Sequence, residues 1–396
     1  MRNGTDPRCL YVANIVLDLA AGYGRKVLGQ AAGFCDSGVP TDVLCLSSIR
    51  RVELRRADGR REAVGRARIP ALYRFYLLGT AFRLLRRERY EIVYFRYPRA
   101  DAAYFALLLW LRFGGSRPRV YSEIPTYPYD PEERGFVSLG TALWRLQDRS
   151  FRHFCKFLID RFVVVSHGGR VFGRPALRIE NGVDPAAVSL RPPVRDGGPL
   201  VGVAVAHVKP WHGYDRILRG MAAAQVAGAA TGRLVVISSW NEETVKLREL
   251  AETLGLGASV KFPGQLDGTK LESAYKDCDY AYGTLAPQRK GAASLSTLKV
   301  RECLARGIPV VNAGSDPVHD IAGDFVFKLD SSDAAVDIAA VEAWAAGMAA
   351  RPGAALAMRS LAERLFPWRK TMARVISDMH SRAPGSKSGH ETRGAS

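Results

Sequence analysis

Residues 291–311 read GAASLSTLKVRECLARGIPVV, a loop of small residues that leads into a helical pattern and then into a strand. Hydroxyl side chains at 294–297 stand where a helix is capped, Gly307 stands where a helix ends, and Pro309 opens a run of β-branched residues. A helix that leads directly into a buried strand is the repeating unit of a parallel sheet covered by helices. The stretch therefore predicts an α/β domain.

The start of this helix also carries a candidate anion site. Backbone amides at a helix N-terminus favour negative charge, and the hydroxyls of Ser294, Ser296 and Thr297 add donors there. Lys299 adds a positive charge, and Glu302 follows on the same helical face, where its carboxylate suits the two hydroxyls of a ribose. The alternative is an ordinary capped helix with a salt bridge between Lys299 and Glu302.

The same alternation of short apolar runs and longer helical patterns extends over the chain in two series. The first predicts strands at 10–17, 42–46, 92–95, 119–122 and 162–165, with helices at 26–36, 71–87 and 139–159. The second predicts strands at 200–206, 233–238, 260–262, 280–284 and 309–312, with helices at 214–227 and 242–254. The alternation predicts parallel sheets covered by helices, one in each half of the chain.

A stretch rich in Pro, Gly and Arg, without periodicity, separates the two series. We place an interdomain linker there at 186–199, between an N-terminal domain at 1–185 and a C-terminal domain at 200–366. A helix at 367–383 is expected to pack back on the N-terminal domain. Residues 384–396, composed of Gly, Ser and charged residues, are expected to form a disordered tail.

The composition points to a folded protein with a strong positive charge. The 396 residues include 57 Lys and Arg against 39 Asp and Glu, a formal net charge of +18, which predicts attraction to nucleic acid, an anionic membrane or a phosphorylated substrate. The six cysteines are scattered, and no histidine stands at zinc-ligand spacing, so neither a disulfide framework nor a metal site is predicted. The longest apolar run, 102–111, is too short to cross a bilayer, and no signal pattern opens the chain. We expect a cytoplasmic protein, soluble or peripheral to a membrane.

Much of the positive charge lies in two clusters within the first hundred residues. The first cluster comprises Arg50, Arg51, Arg55, Arg56, Arg60, Arg61, Arg66 and Arg68. The second comprises Arg83, Arg86, Arg87 and Arg89, and apolar residues of the predicted helix 71–87 are interleaved with it. A basic amphipathic helix of this kind is able to lie on anionic lipid. A solvated charged face opposite an ordinary core face is the alternative.

Two loops, each after the first strand of a series, carry further candidates for binding phosphate. Residues 21–29 read AGYGRKVLG, where Gly24 lets backbone amides approach a phosphate at a helix start, or simply forms a tight turn. Residues 205–216 read VAHVKPWHGYDR, where Lys209 is placed to pair with a diphosphate, or is an ordinary exposed lysine.

The loop at 122–130 reads SEIPTYPYD and leaves the carboxyl end of a predicted strand. Ligands of open α/β sheets bind at that edge. Two prolines stiffen the loop, Tyr127 and Tyr129 suit stacking on a sugar, and Glu123 or Asp130 suits binding hydroxyls or acting as a base. A structural loop without chemistry is the alternative.

Together, these motifs resemble the large GT-B glycosyltransferase group usually called family 4 or group 1. The motifs that carry the resemblance are 294–311, NGVD at 181–184 and HGYD at 212–215. The string EIPTYPYD at 123–130, with YFRYP at 94–98 upstream, resembles a subset associated with bacterial exopolysaccharide and capsule synthesis. The resemblance covers nearly the whole chain and implies the GT-B fold, in which the parallel sheets of two Rossmann-like domains face a central cleft.

The resemblance also implies roles for individual residues. In that family a nucleotide sugar, the donor, lies in the cleft, and the acceptor meets the N-terminal domain. The implied donor-binding residues are Gly24, Lys209, Ser294, Ser296, Thr297, Lys299 and Glu302, with Glu302 on the ribose. The implied catalytic residues are Glu123 and Lys299, and the implied acceptor-binding residues are Tyr127, Tyr129 and Asp130. No metal or other cofactor is implied, because cationic side chains and helix dipoles stabilise the departing diphosphate in this fold.

The chain departs from the common pattern of this family at two places. Ser294 stands eight positions before Glu302, where a second glutamate is usual. Ala206 and His212 stand where an arginine and a lysine usually precede the glycine of the second-domain loop. Lys209 is the residue expected to replace one of them.

These observations lead us to expect a hexosyltransferase-type glycosyltransferase of bacterial cell-surface polysaccharide synthesis. Its expected partners are a nucleotide diphosphate sugar, a saccharide or polyprenyl-linked acceptor, and the anionic inner face of the plasma membrane, but no nucleic acid. A non-catalytic polyanion- or membrane-binding protein with a transferase-like fold is the alternative from another class. A GT-B-like epimerase or phosphorylase is a third.

Overall fold

The computed structural model describes residues 7–18, 22–48, 50–69, 72–129, 139–165, 169–192, 197–229, 231–291 and 296–381. Asp130, Ser294 and the predicted tail at 384–396 lie outside the described residues, as does part of the predicted linker. Within these ranges, no helix combines the length and the apolar character that a membrane span requires.

The first half of the chain forms a nine-stranded sheet. Its strands are β1 (Cys9–Val16), β2 (Thr41–Ser48), β3 (Arg51–Arg55), β4 (Arg61–Arg66), β5 (Ile92–Arg96), β6 (Arg119–Ile124), β7 (Arg161–Val164), β8 (Arg170–Val171) and β9 (Arg174–Arg178). They lie in the order β4-β3-β2-β1-β5-β6-β7-β9-β8, parallel except for the β3–β4 hairpin and β8. The described residues of this half also form the helices α1 (Gly22–Cys35), α2 (Tyr73–Arg87), α3 (Ala102–Phe113) and α4 (Leu139–Cys155).

The second half forms a six-stranded sheet in which every pair is parallel. Its strands are β10 (Val201–Val205), β11 (Arg233–Ile237), β12 (Val260–Gly264), β13 (Tyr280–Tyr282), β14 (Val310–Ala313) and β15 (Val326–Leu329), in the order β12-β11-β10-β13-β14-β15. Its helices are α5 (Tyr214–Val226), α6 (Glu242–Thr253), α7 (Gly268–Lys276), α8 (Leu298–Ala305), α9 (Val318–Ala322), α10 (Ile338–Ala350) and α11 (Ala354–Leu365).

A final helix, α12 (Trp368–Ser381), lies on the first sheet and not on the second. Met372, Val375 and Met379 share a buried core with β1, β2 and α1. Helices α1 and α12 pack closely because α1 carries glycine at the contact: a Cβ at Gly29 would lie 2.1 Å from the Trp368 indole nitrogen. The chain therefore crosses between the two halves more than once.

All ten predicted strands are confirmed, each within two residues of its predicted bounds. The alternation of buried and exposed residues in the β3–β4 hairpin was not recognised, because its arginines were assigned only to a charge cluster. Strands β8, β9 and β15 were also not predicted. The apolar run at 102–111 forms helix α3, whose Tyr104, Leu107 and Leu108 are buried.

Helix α2 decides between the two interpretations of its basic amphipathic pattern. Leu77, Leu78, Ala81 and Leu85 are buried in the core that the helix shares with the first sheet. The helix therefore has an ordinary core face, which is the alternative to a helix that lies flat on lipid. Phe75 remains 47% exposed near its start.

Candidate active site

A cavity of about 730 Å³ lies between the two halves. The residues that end strands on both sheets line it, including Asp18 after β1, Pro125 after β6, Ala206 after β10, Ser238 after β11 and Thr284 after β13. The carboxyl ends of both sheets therefore face one another across the cavity, at the edge where open α/β sheets bind ligands. Helices α1 and α8 each present their first turns to it, which gives the cavity two opposed walls.

The first wall is the start of α1, where Gly22, Tyr23, Arg25 and Lys26 line the cavity. Gly24 does not line it. A Cβ at Gly24 would lie 2.0 Å from the backbone oxygen of Asp18, so glycine is needed for the helix to begin this close to the end of β1. Gly24 thus places its neighbours on the cavity wall.

Lys26 belongs to a buried polar network. Its Nζ lies 2.7 Å from Oε1 of Glu123, whose side chain is completely buried. The other carboxylate oxygen accepts hydrogen bonds from the Gln30 amide and the Tyr94 hydroxyl. Burial alone would raise the pKa of Glu123, but the charges of Lys26 and Arg96 outweigh it and hold that pKa below its usual value. The pair is therefore ionic.

Glu123 was predicted to be catalytic, and the structure does not bring it to the cavity. Its carboxylate lies behind Lys26, with both oxygens engaged by Lys26, Gln30 and Tyr94. A base must reach the proton that it accepts. The position of Glu123 instead makes it a positioning residue for Lys26.

The second wall is the start of α8. Ser296, Thr297, Lys299 and Glu302 all line the cavity. Of the six predicted donor-binding residues that the structure describes, these four therefore meet there, whereas Gly24 and Lys209 do not line it. The Ser296 hydroxyl accepts a hydrogen bond from the Asn181 backbone (3.1 Å), which leaves its own hydrogen free to be donated to a ligand. The NGVD motif at 181–184 therefore acts by holding the start of α8.

The fully buried Arg301 also contacts the first turn of α8. Arg301 donates to the Thr297 carbonyl (3.1 Å) and to Asp316 (3.1 Å), and Asp316 in turn accepts from the Thr297 amide at 3.3 Å. Buried charges in proteins are usually paired, and Arg301 and Asp316 neutralise each other here. These hydrogen bonds tie the first turn of α8 to Asp316.

Lys299 projects from this turn. Its Nζ donates to the Tyr214 hydroxyl at 3.3 Å, and it has no carboxylate within 4.0 Å among the described residues. Burial lowers the pKa of its ammonium to about 8, which outweighs the opposite effect of Cys303 and Glu302. Lys299 is thus a half-buried cation that no carboxylate of the described residues neutralises.

His212 is a cavity residue to which the sequence assigned no role of its own. Its Nδ1 accepts a hydrogen bond from the Lys209 amide at 2.9 Å, so a neutral imidazole carries its hydrogen on Nε2. Burial, together with Lys299 and Lys290, holds the His212 pKa well below 6.5. The ring is therefore a neutral donor, and Lys209, which does not line the cavity, orients it through its backbone.

An ion pair joins the two walls. Arg25 on α1 contacts Glu302 on α8 through two bonds, Nε to Oε1 at 3.0 Å and Nη2 to Oε2 at 3.2 Å. The sequence did not indicate this contact, since its partners are 277 residues apart. The salt bridge between Lys299 and Glu302, which was the alternative to a donor-binding role, is not formed.

The two predicted acceptor residues that the structure describes, Tyr127 and Tyr129, lie in an aromatic cluster. Tyr129 is buried, donates to Asp148 at 2.7 Å and lies under the Arg99 guanidinium, 3.6 Å from the ring centre. The Tyr127 hydroxyl accepts from the Phe172 amide at 3.2 Å. Neither tyrosine lines the cavity; Pro125 and Thr126 of the same loop do.

Sequence reasoning assigned no role to Asp18, Arg25, Lys26, Asn181 or His212, which all line the cavity. Asp18 directly follows a strand predicted to end at the ligand-binding edge, so its position was available as a signal. Asn181 and His212 belong to the NGVD and HGYD motifs, whereas Arg25 and Lys26 carried no local signal of their own. Among the described residues, no group of His, Cys, Asp and Glu is placed to hold a metal ion.

Neither a protein-family model nor a curated protein matches this sequence. Solved structures do match over nearly the full length. Sucrose-phosphate synthase from Thermosynechococcus elongatus is similar, with a TM-score of 0.64 at 14% identity over 94% of this chain and 99% of that chain. The catalytic domain of starch synthase IV from Arabidopsis thaliana, bound to ADP and acarbose, gives 0.65 at 12% identity over 96% and 99%. Anabaena HepE in complex with UDP gives 0.58 at 13% identity over 94% and 100%.

These likenesses confirm the predicted fold. The chain has the GT-B arrangement, with two Rossmann-like halves whose parallel sheets face a central cleft.

Proposed function

We propose that this protein is a glycosyltransferase that takes its sugar from a nucleotide diphosphate donor bound between the two halves. One observation carries the proposal: Lys299, the Ser296 hydroxyl and the start of α8 face the start of α1 across one cavity at the carboxyl ends of both sheets. A helix start with an added cation is suited to a diphosphate. Similar folds solved with UDP or with ADP support the same class of ligand.

In this proposal the second wall binds the donor. Lys299 and the neutral His212 donate to the diphosphate, and both stabilise the negative charge that grows on it as the glycosidic bond breaks. Glu302 accepts from the ribose hydroxyls after Arg25 moves aside. Lys26, held by Glu123, faces the donor from the first wall.

A panel of nucleotides tests the proposal at the level of ligand class. UDP, ADP and GDP, with and without an attached hexose, are added to the whole protein, and the melting temperature is measured. A ligand that binds only the folded state raises that temperature. We expect one nucleotide series to stand out, whereas a protein that binds polyanions without catalysis would respond to all of them and to heparin equally.

Calorimetry then tests the role of Lys299. We expect Lys299→Ala to weaken binding of the selected nucleotide diphosphate about 30-fold, since a hydrogen bond to a charged group contributes roughly 1.5–3 kcal/mol. Lys246→Ala, which removes an exposed lysine paired with Glu242, is the matched control and should bind normally. Unchanged affinity in Lys299→Ala would remove the basis of the proposal.

The acceptor side of the proposal is a saccharide or polyprenyl-linked acceptor of bacterial surface polysaccharide synthesis, met at the inner face of the plasma membrane. Its support is the net charge of +18 together with exposed apolar side chains on and just after α4. Leu143, Leu146, Phe154 and Phe157 are each about 60% exposed. Sedimentation with phosphatidylglycerol vesicles should retain the protein, and retention should weaken with salt. Equal retention on neutral vesicles would contradict the membrane part alone.

A further inference from the structure

A second basic depression lies at the edge of the first sheet, outside the donor cavity. Two adjoining cavities of about 680 and 400 Å³ share Arg50 and Arg66. Their other polar lining residues are Ser47, Ser48, Arg51 and Arg68. We call these six residues the arginine cradle. Among the residues that the structure describes, no acidic side chain lines either cavity.

The β3–β4 hairpin, which sequence reasoning missed, builds the cradle. Arg51 on β3 pairs with Arg66 on β4 and, on its other side, with Ser48 on β2. The Ala67 amide donates to the Arg50 carbonyl at 2.8 Å, which ties the two ends of the hairpin together. The hairpin therefore brings the backbones of Arg51 and Arg66 side by side, with Arg50 and Arg68 next to its open end.

Like charges placed opposite one another on a sheet are destabilising. Elsewhere on the same hairpin, arginines have carboxylate partners: Arg55 contacts Glu53 at 2.6 Å, and Arg56 contacts Glu88 at 2.6 Å. Within the described part of the chain, the four cradle arginines have no carboxylate within ion-pair distance. The described residues thus keep an uncompensated positive charge at this edge of the sheet.

The chemistry of the cradle fits phosphate. A guanidinium group presents paired donors that match phosphate oxygens, and serine hydroxyls add single donors. Four arginines supply enough charge for a phosphate monoester or a diphosphate. A single carboxylate would leave most of these donors unused.

The position of the cradle ties it to the donor cavity. Val16, at the carboxyl end of β1, lines the cradle, and Asp18 lines the donor cavity. Two residues apart, their Cα atoms are separated by at most about 7 Å. The two sites therefore adjoin one another at the carboxyl end of β1.

Exposed apolar side chains follow the cradle in the chain. Ile69 is 53% exposed, Leu72 is 40% exposed and Phe75 is 47% exposed, and the Leu72 amide donates to the Ile69 carbonyl in a turn. Positive charge next to exposed apolar groups suits a ligand in which a phosphate joins a hydrocarbon chain. Neither feature alone would distinguish such a ligand from a free phosphate.

We propose that the arginine cradle binds the phosphate or diphosphate of a lipid-linked acceptor, with Ile69, Leu72 and Phe75 against the lipid chain. This inference rests on the proposed glycosyltransferase function and assigns its acceptor site. It places the acceptor phosphate on the first half and the donor diphosphate on the second.

The test uses the full chain and farnesyl diphosphate as probe, with calorimetry at low salt. The Arg50→Gln/Arg66→Gln double variant should bind the probe about 30-fold more weakly, because it loses two charge-assisted contacts. The control double variant, Arg60→Gln/Arg89→Gln, removes the same charge from side chains that are 72% and 86% exposed, and should bind within about twofold of wild type. Equal losses in both would overturn the proposal in favour of general charge attraction.

Further probes separate the sources of phosphate. Inorganic pyrophosphate should bind wild type more weakly than farnesyl diphosphate does. The affinity for farnesol, which has no phosphate, should be the same in wild type and in the cradle variant. Pyrophosphate binding as tightly as the lipid would overturn the lipid assignment. If the double variant loses binding to phosphatidylglycerol vesicles but keeps binding to farnesyl diphosphate, the cradle binds the bilayer surface, and the lipid-linked acceptor assignment is overturned.

The nucleotide series identified above serves as the internal reference. Its affinity should be the same in wild type and in the cradle variant. If the cradle variant binds both the nucleotide and farnesyl diphosphate as wild type does, the cradle proposal is rejected and the proposed function stands. If wild type binds no nucleotide, the proposed function itself is rejected.

Discussion

Lys26 and Lys299 face the same cavity from opposite walls, and their surroundings differ in one respect. Lys26 lies 2.7 Å from a completely buried carboxylate, Glu123. Lys299 has the Tyr214 hydroxyl at 3.3 Å and no carboxylate within ion-pair distance in the described ranges. A desolvated cation without an anion is costly to the folded protein.

Lys26 therefore carries a structural charge, whereas the charge of Lys299 is available to a ligand. The charge of Lys26 is neutralised inside the protein, and it stabilises the join between α1 and β6. The charge of Lys299 is left for a ligand to neutralise, so an arriving diphosphate gains the interaction. Substitutions on the two walls should therefore differ in whether they change stability or nucleotide affinity.

Lys26→Met should lower the free energy of unfolding by about 3–5 kcal/mol, because it leaves the buried Glu123 carboxylate without its partner. Urea denaturation measures the change. The Lys26→Met/Glu123→Gln double variant should be more stable than the single variant, since neither charge remains. A single variant as stable as wild type would show that the ion pair with Glu123 does not stabilise the fold, and the contrast between Lys26 and Lys299 would fail.

His212→Asn should weaken binding of the selected nucleotide diphosphate about 20-fold, since a hydrogen bond to a charged group contributes roughly 1.5–3 kcal/mol. Asparagine can still accept from the Lys209 amide but does not reach the position of Nε2. His212→Gln, which retains a donor at that reach, is the control and should bind more tightly than His212→Asn. Equal binding by the two variants would assign His212 a packing role only.

Nucleotide affinity should fall about tenfold between pH 7 and pH 9 as the Lys299 ammonium, whose pKa is about 8, loses its proton. The same lowered pKa means that the unfolded chain binds more protons than the folded one between about 8 and 10.5, so this residue makes stability rise with pH in that window. Isothermal titration at several pH values checks the first effect. Lys299→Met should show a flatter profile; an equally steep one would mean that another group titrates.

Arg25→Gln should raise nucleotide affinity by about two- to threefold, because Glu302 no longer has to exchange Arg25 for the ribose. The effect is small because the Arg25 side chain is 36% exposed, and partly exposed ion pairs contribute roughly 0–1 kcal/mol. Glu302→Gln should have the opposite effect. Weaker binding by Arg25→Gln would indicate that Arg25 contacts the nucleotide directly.

Patterns in neighbouring residues were enough to predict the framework. Ten strands and the helix that begins at Leu298 follow from apolar runs, caps and a terminating glycine, which act over a few residues. The same local pattern placed Ser296, Thr297, Lys299 and Glu302 together, because residues on one helical turn share a face. The β3–β4 hairpin also follows a local pattern, the alternation of buried and more exposed residues in β3. Its many arginines hid this alternation, because they indicated only a charge cluster.

Tertiary structure alone decided which charges are satisfied. Glu123 ends a strand at the ligand-binding edge, as predicted, yet Gln30, 93 residues away, and Lys26 enclose it. Arg25 holds Glu302 from 277 residues away. By itself, the sequence determined two parallel α/β halves and the helix start that faces their cleft. It left open which carboxylate and which lysine face a ligand, because ion pairing depends on distances that are set only when remote segments pack.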